Sequence, residues 1–74
     1  MSQKEVISGF VGEFVWSARL ESVESHRYLL DEVLLASGER ETVGLLFGTL
    51  EQLREYAQEV AEFMVSSRPR SRDE

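Results

Sequence analysis

The sequence contains no cysteine, a single proline and a single histidine, and no apolar run approaches the roughly 18 residues that would span a bilayer. Without cysteine there is no disulfide framework and no thiolate chemistry. With only one imidazole besides, no metal and no cofactor site is expected. The apolar stretch after Met1-Ser2-Gln3-Lys4-Glu5 is broken by Ser8, Gly9, Gly12 and Glu13, which is not the pattern of a secretory signal. A soluble cytoplasmic protein is therefore expected. Neither a G-x-G-x-x-G nor a G-x-x-x-x-G-K-[ST] phosphate loop is present. Gly48-Thr49 opens a helix, but the acidic Glu51 and the missing lysine argue against an anion held there.

What is present is a short, acidic and moderately apolar chain. Its 74 residues are 42% hydrophobic and carry a formal net charge of −6. That is too apolar, with too little glycine and proline, for disorder throughout. It is also short enough to hold only one small core. Residues 1–66 contain 12 acids against 5 bases, so one small α+β domain is expected there. Residues 67–74, with Arg68, Arg70 and Arg72 around Pro69, are expected to form a disordered tail.

The last element is the plainest. Thr49-Leu50-Glu51-Gln52 fits a capping box, and Glu51 suits the positive end of a helix dipole. Leu50, Leu53, Tyr56, Ala57, Val60, Ala61, Phe63 and Met64 then recur at helical spacing, while Glu51, Glu55, Gln58, Glu59 and Glu62 take the opposite side. The spacing predicts a helix over 50–65, stopped by Ser66-Ser67 and Pro69. It is expected to bury Leu53, Tyr56, Ala57, Val60, Phe63 and Met64.

Residues 10–22 alternate at period two. Phe10, Gly12, Phe14, Trp16, Ala18 and Leu20 fall on one side, and the three charged residues fall on the other. A strand is expected, since a helix would put Gly9 and Gly12 in its interior and leave Trp16 wet. Residues 4–8 are able to begin the same strand, with Gly9 or Gly12 as a bend. Residues 42–47 read as another strand, and Ser37-Gly38-Glu39-Arg40 as a hairpin loop joining it to a strand over 27–36. Asp31 and Glu32 put one acid on each side of that strand. A helix over 24–37 is thus the alternative, and adjacent Asp31-Glu32 carboxylates on a strand would point apart in a solvated bend or bulge. The expected fold is a three-stranded antiparallel sheet with one helix on one face (β-β-β-α), with β-α-β-α as the alternative.

Such a core rarely supplies more than about 3–5 kcal/mol, and one helix covers only one sheet face. The other face is expected to draw on Val11, Val15, Leu29, Val33, Leu35 and Leu46, and an apolar patch of this kind is an association surface. A homodimer is expected. So acidic a body repels phosphate, which argues against direct nucleic-acid binding and for a partner protein with a basic surface. The candidate protein-binding residues are Val11, Val15, Val33 and Leu35 on the sheet and Glu51, Glu55, Glu59 and Glu62 on the helix.

No catalytic constellation is legible. His26 lies between Ser25 and Arg27 with no orienting third group, and reads as a surface histidine. The four helix glutamates resemble a solvated face more than a metal site, because carboxylate bundles draw ligands from several helices. Trp16 reads as core. The leading expectation is a small non-enzymatic interaction or regulatory protein. Two others stand beside it: an acidic nucleic-acid-mimicking inhibitor of a basic enzyme groove, of the phage anti-defence type, and an enzymatic or ligand site at a dimer seam using His26, Arg19 and Glu13.

Overall fold

A computed structural model describes residues 3–24 and 26–67, apart from the side chain of Glu24. Of the expected 67–74 tail, only Ser67 falls within the described residues. Four strands, β1 (Gln3–Val11), β2 (Phe14–Glu24), β3 (Arg27–Leu35) and β4 (Arg40–Phe47), precede one helix, α1 (Leu50–Ser66). The strands lie in the order β1-β2-β3-β4, each antiparallel to its neighbours. The fold is α+β, an antiparallel sheet with one C-terminal helix. The sheet has four strands rather than the expected three, and the β-α-β-α alternative fails because 27–35 is a strand.

The extra strand comes from a turn inside the segment read as one. Gly12 and Glu13 form the whole connection between β1 and β2, and Gly12 sits at φ 60. A glycine at the first position of a two-residue loop reaches positive φ without a Cβ clash, which is what tight hairpins need. The reversal pairs Phe10 with Val15 and Gly9 with Trp16. Phe10 is therefore on the face opposite Trp16, where unbroken alternation would have put them together. The β3–β4 loop follows the expectation: Gly38, at φ 114, donates its amide to the Leu35 carbonyl at 2.9 Å.

β3 owes its mixed pattern to a bulge. Arg19 pairs with Glu32 and Leu20 with Leu30, so Asp31 is one residue too many opposite β2. Opposite β4 the register also shifts between Leu30 and Glu32, beside Gly44 at φ 72. The extra residue inverts the alternation halfway along the strand. Tyr28, Leu30, Val33 and Leu35 consequently share the helix side, and Leu29, Glu32 and Leu34 share the other.

The core is supplied by the two central strands and the helix. Trp16, Ala18 and Leu20 of β2, Leu30, Val33 and Leu35 of β3, and Leu53, Ala57, Ala61 and Met64 of α1 are all buried. Trp16, directly across from Gly9, lies so close that a Cβ on Gly9 would stand 2.6 Å from Cζ2 of the indole. The missing side chain is the space that the ring occupies. The indole Nε1 donates to Gln58 Oε1 at 2.8 Å, and Gln58 Nε2 donates to the Phe10 carbonyl at 3.0 Å. Arg54 adds a third tie, donating through Nη2 to the Ser8 carbonyl at 3.0 Å. One amide side chain thereby holds the core indole and the backbone of β1 at once.

The helix starts as expected, with the Gln52 amide donating to Thr49 Oγ1 at 3.1 Å. Its sheet-facing stripe is narrower than the apolar pattern implies. Ala57 and Ala61 let the backbone approach the sheet closely, and at 3.6 residues per turn the two flanks differ. Arg54 and Gln58 lie on the flank toward β1. Tyr56, Val60 and Phe63 lie on the flank toward β4, where the Tyr56 ring meets Phe47 at a centroid distance of 5.4 Å. Phe63 was expected in the core but is 68% exposed, because it stands at the outer margin of that flank. Gln58, expected on the solvated side with the glutamates, is half-buried.

Two substitutions test this arrangement. Gly9→Ala forces a methyl against the indole and is expected to cost about 1–3 kcal/mol, read as a lower urea midpoint at unchanged m-value. Gln58→Leu strands the buried indole N–H, with an expected loss of about 1–3 kcal/mol, whereas Glu55→Gln on the exposed ridge should stay within about 0.5 kcal/mol.

Candidate functional site

The sheet has one face under α1 and one face that nothing among the described residues covers. The register places Val6, Ser8 and Phe10 of β1, Val15, Ser17, Arg19 and Glu21 of β2, Leu29, Glu32 and Leu34 of β3, and Arg40, Thr42 and Leu46 of β4 on the uncovered side. Phe10 is 67% exposed, Val6 66%, Leu46 52% and Val15 42%. Leu29 and Leu34 are half-buried between them. Phe10, Val15 and Leu34 lie toward one end of the face, and Leu29 and Leu46 toward the other.

A charged band crosses between these apolar ends. Arg19 Nη1 stands 3.1 Å from Glu32 Oε2, and Arg40 Nη1 stands 3.9 Å from Glu32 Oε1. The Glu32 side chain is only 14% exposed, while the arginines are largely in solvent. With both arginines largely in solvent, such a pair contributes about 0–1 kcal/mol, so its importance is less to stability than to the charge of the face. By the register Lys4, Arg19, Arg27 and Arg40 stand on this face against Glu21 and Glu32, with Asp31 at the bulge, so the face carries no acidic excess.

The opposite surface of the molecule is the solvent side of α1. Glu51, Glu55, Glu59 and Glu62 are all exposed there, and Arg54 is the one base of the helix, on the flank toward β1 beside Glu55, Glu59 and Glu62. Gln58 Nε2 donates to Glu62 Oε2 at 3.1 Å, which fixes one carboxylate toward the β1 side. Among the described residues no group of three or more His, Cys, Asp or Glu side chains is arranged to hold a metal ion. No described helix is long and apolar enough to cross a membrane.

The residues expected to form the sheet site divide between the faces. Val15 is on the uncovered face. Val33 and Leu35 are buried beneath α1, because the Asp31 bulge carries them there. Val11 is half-buried against the same core. Glu51, Glu55, Glu59 and Glu62 share a ridge as the helical spacing requires. Phe10, Leu34 and Val6 are the uncovered apolar residues that alternation alone did not reveal. The Gly12-Glu13 dipeptide between two apolar pairs was the signal that would have found Phe10.

Within one copy of the chain, Glu13, Arg19 and His26 do not converge. Glu13 lies in the turn before β2 and His26 in the turn after it, and the 11 residues between the turns span roughly 35 Å. Arg19 lies between them and is engaged with Glu32. No family model, curated protein or solved structure matches the chain.

Proposed function

We propose that the chain is a small non-enzymatic protein-interaction or regulatory module. In this reading a second copy covers the open sheet face, and the acidic ridge of α1 meets a basic surface on another protein. The observation that carries it is the partition of charge and apolar area. The apolar side chains Phe10, Val6, Val15 and Leu46 stand on a face with no acidic excess, and four carboxylates with one neighbouring arginine stand on the far side of the helix. Two copies meeting sheet to sheet bury apolar surface and keep their ridges apart, whereas any approach through the ridges is repulsive.

A second reading rests on the ridge alone. Four glutamates along one helix, with Arg54 on the flank toward β1 as the one base beside them, present a line of negative charge to a positive groove, as an acidic inhibitor that mimics nucleic acid would. The two readings differ in what competes. A mimic is displaced by DNA or RNA from the same enzyme, and a general interaction module is not.

Phe10→Asp tests the dimer. The residue is exposed within one copy, so the variant should fold with a near-normal urea midpoint while self-association weakens by about tenfold or more in sedimentation equilibrium. A monomeric parent chain, or a variant that associates as tightly as the parent, would remove the proposed dimer. Binding to a basic partner should weaken steeply as salt rises from low to moderate concentration, and Glu55→Lys with Glu59→Lys should weaken it further.

A further inference from the structure

The two edges of the sheet are treated differently. On β1, side chains of α1 donate to the Ser8 and Phe10 carbonyls, alternate positions whose carbonyls point the same way. On β4, no described side chain is bonded across the outer edge. An uncovered edge strand is a template for another extended chain.

Beside that edge runs a groove of about 350 Å3 between β4 and α1. Its apolar lining is Val43, Tyr56, Val60 and Phe63, and Glu41 and Glu59 stand at its walls. Phe63 is among the most exposed large apolar side chains of the described residues and is not one of those packed against their core. Glu41, Val43 and Phe47 are on the helix side of β4, so a strand added at this edge would direct alternate side chains into the groove. The irregularity at Gly44 interrupts the edge and confines pairing to the Arg40–Val43 half, which is the half the groove adjoins.

We infer that the β4–α1 groove binds an extended segment of another protein by strand addition. The segment carries a lysine or arginine and an aliphatic residue two positions apart, both facing the groove. The main chain of the segment pairs with the edge of β4. Its aliphatic side chain packs on Val43, Val60 and Phe63, and its cation meets Glu41 and Glu59. The site is separate from the uncovered sheet face, so this inference stands whether or not the chain dimerises through that face.

The test is a selection of nine-residue peptides from a displayed random library on the intact chain, followed by amide chemical-shift mapping. Enriched peptides should hold Lys or Arg at i and Val, Ile or Leu at i+2, and should shift the Val43, Val60 and Phe63 resonances. Phe63→Ser and Glu59→Lys, both at exposed positions, should each weaken binding by about tenfold, and alternate N-methylation of the peptide backbone should abolish it. Phe10→Asp should leave it unchanged, which separates this site from the dimer face. Several results would overturn the inference: an empty selection, acidic or helical winners, peptides indifferent to N-methylation, or shifts confined to the Glu51–Glu55 ridge. Loss of self-association in Phe63→Ser without peptide binding would make a second copy the occupant instead.

Discussion

The architecture depends on the Trp16 indole lying against the bare backbone of Gly9 while its N–H is satisfied by Gln58. A large ring needs both conditions to be buried in a domain of this size. Without the space over Gly9 the ring would be pushed off the sheet. Without Gln58 its only polar atom would be buried unpaired, at a cost of about 1–3 kcal/mol. The same glutamine reaches the Phe10 carbonyl, so the contact that fills the core also ties α1 to the edge of β1. Helix position, face coverage and edge protection thus follow from one cluster of side chains.

Once the helix is fixed this way, the remaining surfaces are determined. Its polar flank is spent on β1, which leaves the Tyr56, Val60 and Phe63 flank toward β4 and the glutamates outward. The reverse side of the sheet is left to solvent with Phe10, Val6, Val15 and Leu46 upon it. Charge follows the same division, with no acidic excess on the uncovered sheet face and an acidic ridge on the helix. The functional reading proposed above rests on this asymmetry and on no single reactive residue.

Much of the fold was legible because it rests on local chemistry. The capped helix and the Gly38 loop are written in turn residues and periodicity, and the loop in turn places strands on either side of it, near 27–36 and 42–47, where the structure has 27–35 and 40–47. Two features escaped alternation because each changes parity. The Gly12-Glu13 turn reverses the chain inside a segment whose apolar spacing runs on through it, and a two-residue loop sets Val11 opposite Phe14 and Phe10 opposite Val15, so the face of even-numbered positions is exchanged there. The Asp31 bulge makes the same exchange within one strand, so that four apolar residues at 28, 30, 33 and 35 look scattered when they share a face. For that reason Val33 and Leu35 were assigned to the wrong side, while the glutamate ridge, set by helical spacing alone, was assigned correctly. The role of Gln58 had no local signal, since its partner lies 42 residues away.

Trp16 is the only tryptophan of the chain, so its fluorescence reports the central contact directly. The decisive measurement is a urea titration that follows indole emission and far-ultraviolet helical signal on the same sample. If the indole joins helix to sheet, emission begins blue-shifted and shielded from iodide, and the two signals are lost together in one transition. A helical signal that melts before the emission changes, or an indole open to iodide in the native protein, would contradict the account.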